Sequence, residues 1–350
     1  MAEQQKSANS QVELREMTSR YMREPVPYAV ITPMVPKNDG QLPLCLVLMG
    51  GGGSRQSLVE SQAMFDQWWS EGLLPPMVLA TPSAGMSYYH DHSDGSARWE
   101  AFIVEDFLKK LRATCNVDHQ SSATAITGIS MGGYGALKIA LSRPDQFVAV
   151  AAVQPILEPG LSDQDIGARN RIHHASGGPP ELVGPQRDPT VFAANNPANR
   201  AVANARSIRE SGLAIYMEVG DNDLVNAHDG VEFLHRVLWD LDISHEYHLV
   251  RGGDHGGPTL RSRMREAYAW VGAVVTAARI GSNPVISETE RPVTEWIESG
   301  MKGKSPVVSP SSYAFLRMVR AQLQTLRDQA AASDPTTRRR YGVLPAVPRP

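Results

Sequence analysis

Ser130, Asp223 and His255, three residue types spread widely along the chain, are those best equipped to do chemistry together. Ser130 lies in Gly128-Ile129-Ser130-Met131-Gly132, after an apolar run at 123–127 and before a helical run at 132–142. A strand, a sharp turn and a helix around Gly-x-Ser-x-Gly hold the hydroxyl on a strained corner, where the helix N-terminus favours developing negative charge. Chance supplies such a pentapeptide in roughly one of five chains of this Gly and Ser content, so its setting carries more weight than the motif. The chemistry that fits is acyl transfer through a covalent ester on the serine.

A serine hydroxyl is a poor nucleophile until a base takes its proton. Of the 10 histidines, only His255 follows a late strand (246–250) in a glycine-rich loop, Arg251-Gly252-Gly253-Asp254-His255-Gly256-Gly257, and precedes a final helix. An acid must orient that imidazole. The loop after the run at 213–219 reads Gly220-Asp221-Asn222-Asp223, and Asp223 is favoured because Gly-x-x-Asp carries the carboxylate past the turn. Asp221 competes, with capping of the turn as its ordinary role, and Asp229 is a third candidate. Asp254 is adjacent to His255 and badly placed to bond that ring; it reads as a turn residue.

The oxyanion formed in acyl transfer needs two backbone N–H donors. Met131 offers one, as the residue after the serine. The loop Gly50-Gly51-Gly52-Gly53-Ser54 offers the second, from Gly51 or, alternatively, Gly52. Ser54-Arg55-Gln56 lacks the Gly-Lys-Ser/Thr ending of a phosphate loop, which sets that reading aside. Tyr88 and Tyr89 stand in a polar and aromatic loop (81–96) read as the cleft edge, where they contact the acyl or alcohol group. His90-Asp91-His92 has no third histidine or glutamate to close a metal site, so no metal is expected.

The elements that position these residues alternate. Strands are expected at 28–31, 42–49, 77–80, 123–127, 148–153, 213–219 and 246–250, with helices at 57–71, 99–111, 132–142, 227–240 and 260–277. Such alternation implies an α/β class, a mostly parallel doubly wound sheet with helices on both faces. Three parts flank or interrupt it: a polar N-terminal arm or loose helix (1–25), an irregular insertion (155–195) within the main domain (26–280), and a C-terminal extension (281–350). In the extension, Tyr313, Leu316, Val319, Leu323 and Leu326 line one face of an amphipathic helix at 313–331, which packs either on its own hydrolase domain or, the favoured reading, on a second subunit of a homodimer.

Composition excludes other classes. Of 350 residues 42% are hydrophobic, and the net charge of -3 carries no basic stripe beyond the short run Arg338 to Arg340, so no nucleic-acid partner is expected. The first residues show no apolar core of a secretory signal, and 42–49 is too short to span a bilayer. No membrane association and a cytoplasmic location are therefore expected. Two cysteines cannot build a disulfide framework, and Cys45, inside an apolar strand, reads as an inert packed thiol.

The stretch Thr127-Gly128-Ile129-Ser130-Met131-Gly132-Gly133-Tyr134-Gly135-Ala136-Leu137 resembles the nucleophile elbow of the esterase D family. That family includes S-formylglutathione hydrolases, siderophore and feruloyl esterases, and antigen 85 mycolyltransferases. Trp99-Glu100 resembles the Trp-Glu upstream of its elbow, and Arg143-Pro144-Asp145-Gln146-Phe147 its His-Pro-Asp-x-Phe. The likeness covers about 42–274. It implies the α/β-hydrolase fold, Ser130, Asp223 and His255 as the triad, and the Gly51 and Met131 amides as the oxyanion hole. Gly52, Tyr88, Tyr89 and Trp99 are the substrate-side candidates. Met49-Gly50 departs from the His-Gly of many such enzymes, and the insertion and C-terminal extension have no counterpart.

The activity expected is hydrolysis of a small-molecule ester with no cofactor. A thioesterase of the S-formylglutathione hydrolase kind, or an acyltransferase, would use the same triad; a non-catalytic binding protein is the remaining alternative. Asp223→Asn is expected to slow ester hydrolysis far more than Asp221→Asn. Steady-state rates on p-nitrophenyl acetate check this, and the reverse order would move the acid by two positions.

Overall fold

The computed structural model describes residues 9–35, 40–92, 94–171, 188–279 and 291–307, with scattered positions from 315 to 329. The chain divides into two units, Met1–Arg279 and Ile280–Pro350. The first is built on a sheet whose strands are β1 (Ser10–Met17), β2 (Val26–Pro33), β3 (Leu44–Leu48), β4 (Val78–Pro82), β5 (Thr124–Ile129), β6 (Ala149–Val153), β7 (Ala214–Gly220) and β8 (Glu246–Val250). Their order is β1-β2-β4-β3-β5-β6-β7-β8. β2 pairs antiparallel with β1 and β4; the other pairs are parallel.

The inner strands are short apolar runs because helices cover both faces of the sheet. β3 (LCLVL) and β6 (AVAAV) are buried at every position. Cys45 of β3 is fully buried, and burial pushes its thiol up to about 12 against the pull of a Thr127 hydrogen bond. That suits the inert role expected of it. β8 (EYHLV) is the last strand and keeps exposed positions, as an edge strand does.

Residues 10–17 correct the expected arm or loose helix. They form β1, paired antiparallel with β2 from Ser10↔Pro33 to Met17↔Val26. Charged Glu13, Arg15 and Glu16 on an edge strand hide the strand signal in a polar sequence, and they also discourage pairing with another chain. The helix expected at 57–71 is two, α1 (Arg55–Glu60) and α2 (Gln62–Ser70), joined at Ser61. Ser61 Oγ donates to the Ser57 carbonyl at 2.9 Å, the kind of side-chain bond that interrupts a helix. On α2, Phe65 and Trp68 pack against Tyr268, with ring centroids 5.2 and 5.4 Å apart.

Trp99–Ala101, Phe102–Phe107 and Leu108–Thr114 run on as one helix, α3, with a π-type middle. It is followed by α4 (Met131–Ser142) after β5. The later part of the insertion folds into α5 (Pro189–Asn195) and passes into α6 (Pro197–Ala203) and α7 (Ala205–Ser211). Asp188 and Asn196 cap α5 and α6, each followed by proline at the first helical position; that pair is a readable helix-start signal. α8 (Ala227–Asp240) and α9 (Leu260–Arg279) follow β7 and β8.

The second unit contains α10 (Arg291–Glu298), in which Val293 and Trp296 are buried. Of the helix expected at 313–331, Tyr313 and Leu316 lie outside the described residues, while Val319, Leu323 and Leu326 are helical. His173 and His174 of the insertion, Arg338 to Arg340 and residues 1–8 also lie outside them.

The approach of β5, α4 and β3 is set by two glycines. A β-carbon on Gly128 would overlap the backbone of Gly132, and one on Gly132 would overlap the Leu48 carbonyl. Neither neighbour is a flexible side chain, so the backbone itself must move to admit a methyl. Gly132→Ala should therefore destabilise the protein by about 1–3 kcal/mol, the usual cost of overpacking. Urea unfolding checks this, and an unchanged midpoint would contradict the packing described.

Candidate active site

Ser130 joins β5 to α4 with φ 55° and ψ -120°, a region that L-residues rarely occupy and that costs of order 1–3 kcal/mol. Neighbouring backbone holds the corner in place. Ser130 N–H donates to the Val153 carbonyl at 3.0 Å, and the Ser130 carbonyl accepts from Tyr134 N–H at 3.0 Å. The hydroxyl is thereby lifted to the carboxyl end of the sheet, where the loops after β7 and β8 also arrive. Open α/β sheets bind ligands at this end.

Ser130 Oγ lies 2.9 Å from His255 Nε2, and His255 Nδ1 lies 2.7 Å from Asp223 Oδ2. When His255 Nδ1–H donates to Asp223, Nε2 is left as an acceptor toward the hydroxyl. The Asp223 side chain is 0% exposed and that of His255 20% exposed, so the line runs from the interior to an open end. Burial opposes the charge on Asp223. The hydrogen bond and charge of His255, with the Val225 and Ala227 amides, outweigh it and hold the carboxyl below the ordinary range. Val225 N–H donates to Asp223 Oδ1 at 2.9 Å and Ala227 N–H at 3.4 Å.

Asp221 and Asp254 do other work. Asp221 Oδ1 accepts from Gly252 N–H at 2.6 Å. Asp254 Oδ1 accepts from Leu224 N–H at 3.0 Å and from His255 N–H at 2.6 Å. Asn222 N–H adds a bond to the Gly253 carbonyl at 3.0 Å. These bonds stitch the loop of Asp223 to the loop of His255, so the two side chains are fixed relative to each other. Gly220 allows the approach, since a β-carbon there would overlap the Gly253 backbone.

The glycine loop after β3 comes beside Ser130: a β-carbon on Gly50 would stand 3.5 Å from Ser130 Cβ. Gly52, with φ 77°, donates its amide to the Gly85 carbonyl at 3.0 Å, and Gly53 donates to Gly50 at 2.9 Å. Gly51 lies under Met86, whose Sδ would be 2.9 Å from a β-carbon there. Met131 is buried at the start of α4 and accepts from Tyr88 N–H through its sulfur at 3.3 Å.

The other substrate-side candidates are less open. Tyr88 and Tyr89 both have positive φ, 51° and 54°. Tyr88 is 7% exposed; Tyr89 is fully buried, its hydroxyl donating to the Met49 carbonyl at 3.1 Å. Trp99 is 6% exposed and packs edge-on against Tyr89 at 5.9 Å. Tyr89 and Trp99 therefore stand behind the cleft loops and hold their shape. His90 Nε2 bonds the Tyr134 hydroxyl at 2.9 Å, and His92 Nδ1 bonds Ser96 Oγ at 3.1 Å. Sequence reasoning passed over Gln154, Glu218 and Arg263, which meet beneath the His255 loop.

A family model described as "Putative esterase" matches residues 19–270. Diacylglycerol acyltransferase/mycolyltransferase Ag85B of Mycobacterium leprae is 29% identical over 151 residues, covering 40% of this chain and 45% of that protein. Ag85A of Mycobacterium tuberculosis is 24% identical over 209 residues, 55% of this chain and 57% of that protein. The chain thus spans about half the length of the curated relatives it matches. Among solved structures, a ferulic acid esterase superposes with a TM-score of 0.62 at 18% identity, covering 77% of this chain and 99% of that one. An S-formylglutathione hydrolase from Agrobacterium tumefaciens gives 0.60 at 17% identity, covering 77% and 97%. At such identities the likeness speaks for the fold alone. With most of its length inside the matched region, the chain belongs to the esterase family and has the α/β-hydrolase fold.

Proposed function

We propose that the protein is a serine carboxylic-ester hydrolase acting on a small-molecule ester through an acyl-enzyme. The observation that carries this reading is the continuous line from Ser130 Oγ to His255 at 2.9 Å and on to Asp223 at 2.7 Å. In the first step His255 Nε2 takes the hydroxyl proton as Ser130 Oγ attacks the ester carbonyl. The charge that develops on His255 is met by Asp223, ionised and held by two amides. The alcohol leaves with the proton from His255. Water, deprotonated by the same imidazole, then releases the acid and restores Ser130.

The oxyanion is assigned to the amides of Met131 and Gly51. Gly52 N–H is already committed to Gly85, which supports Gly51 of the two alternatives. Tyr88 and the exposed Met86 and Leu224 border the same loops and offer apolar contact to the acyl or alcohol part. No helix among the described residues is long and apolar enough to cross a membrane. Cys45 and Cys115 are free thiols, which suits a reducing compartment, and the cytoplasm is the location we propose.

Acyl transfer to an alcohol is the second reading, favoured by the curated relatives named as acyltransferases. Ser130→Ala should abolish p-nitrophenyl acetate hydrolysis, lowering kcat by about a million-fold, while far-UV circular dichroism stays the same. A fluorophosphonate should label the parent protein at Ser130 and leave the variant unlabelled. Persisting hydrolysis in Ser130→Ala would sink the assignment. An added alcohol or thiol that outcompetes water for the acyl-enzyme would shift the reading from hydrolase to transferase. A panel of p-nitrophenyl esters, aryl esters and S-formylglutathione ranks the substrates.

A further inference from the structure

Beneath the His255 loop three polar side chains meet where the sheet should be apolar. Glu218, on β7, is 0% exposed, and Arg263, on α9, is 2% exposed. Arg263 Nη1 faces both Glu218 oxygens, at 3.4 and 3.3 Å. Arg263 Nη2 donates to Gln154 Oε1 at 2.7 Å and to the Asp254 carbonyl at 2.6 Å. Gln154 Nε2 in turn donates to the His255 carbonyl. Gln154 is itself 1% exposed, with φ 40°, and its N–H is fixed on the Glu218 carbonyl at 2.8 Å.

Burying such a pair does little for stability, because apolar residues of the same volume commonly serve as well or better. What this arrangement does provide is a grip on two consecutive carbonyls, those of Asp254 and His255. The loop needs one. Gly252, Gly253, Gly256 and Gly257 flank the two residues, and Gly252 and Gly257 have φ of 70° and 74°. Glycines give the imidazole room to reach Ser130 but leave its position undetermined. Leu224 N–H, donating to Asp254 Oδ1, ties the loop sideways; the grip from beneath is a separate set of contacts.

We propose that Gln154, Arg263 and Glu218 act as a positioning clamp that sets the distance between His255 Nε2 and Ser130 Oγ. The clamp rests on the reading of His255 as the base. Glu218 orients the guanidinium, Arg263 holds the Asp254 carbonyl and the Gln154 amide, and Gln154 holds the carbonyl of His255 itself. None of the three touches the reacting atoms. Their influence passes through the loop backbone, where a displacement of about 1 Å costs on the order of a hundredfold in rate.

Gln154→Met keeps the side-chain length but removes the donor to His255. Arg263→Lys keeps the charge opposite Glu218 but lacks the fork that reaches Gln154 and Asp254 together. Fluorophosphonate labelling run to completion counts folded sites, so rates are expressed per labelled Ser130. Both variants should lose about 10- to 100-fold in kcat on p-nitrophenyl acetate, with KM within about threefold of the parent. The low-field proton resonance of the His255–Asp223 hydrogen bond should broaden. A merely structural role would lower the number of labelled sites and leave kcat per site unchanged, and that result overturns the clamp. If Gln154→Met does not fold, Arg263→Lys decides, and failure of both to fold also overturns it. A parent protein that neither labels nor hydrolyses sinks the reading of the site, and the clamp with it. An active parent with fully active variants sinks the clamp alone.

Discussion

The corner at Ser130 is the constraint on which the surrounding architecture turns. A residue with a side chain is held at φ 55°, ψ -120°, between a strand and a helix that approach more closely than any β-carbon at Gly128 or Gly132 would permit. That closeness brings α4 onto the end of β3, so the glycine loop that follows β3 arrives beside the serine. It also fixes the Ser130 amide on Val153, which places the end of β6 and Gln154 under the site. Strain at the corner and tight packing around it are one arrangement, since the packing is what keeps the strain from relaxing.

Around this corner, loops of different origin are each braced by a buried polar group. Lys138, in α4 and 1% exposed, donates to the Tyr89 carbonyl at 2.6 Å and lies 3.6 Å from Glu100. It ties the loop of Tyr88 and Tyr89 to α3. Burial pushes its ammonium pKa down, and the carboxylate of Glu100 works against that push. Arg263 plays the matching part under His255. Each cation is paired, as the cost of an isolated buried charge requires. Loops rich in glycine or in strained residues are thereby given one shape.

The parallel core was legible because buried strands must be short apolar runs, and 42–49, 123–127 and 148–153 are such runs. Ser130, Asp223 and His255 were legible because each follows a strand, where an open sheet presents its loops. What escaped did so for physical reasons. β1 is a charged edge strand, so its alternation is weak. Its pairing with β2 is a tertiary fact. The helices at 189–211 are only seven residues each and rich in Ala, Asn and Arg, yet their Asp-Pro and Asn-Pro starts were there to be read. Tyr89 and Trp99 looked like cleft residues because aromatic rings suit both cleft and core. Gln154, Glu218 and Arg263 stand 45 to 109 residues apart and meet only through the fold.

The base of the proposed reaction sits in the loop that follows β8, one of the two edge strands of the sheet. β8 has one neighbour, β7, and three of its five residues face solvent. Edge elements with few buried contacts open at lower free energy than the central strands. Fraying of β8 would draw His255 away while β3 to β6 remain folded and Ser130 keeps its corner. Heat inactivation would then begin below the melting temperature and reverse on cooling, because the nucleophile's own scaffold has not come apart.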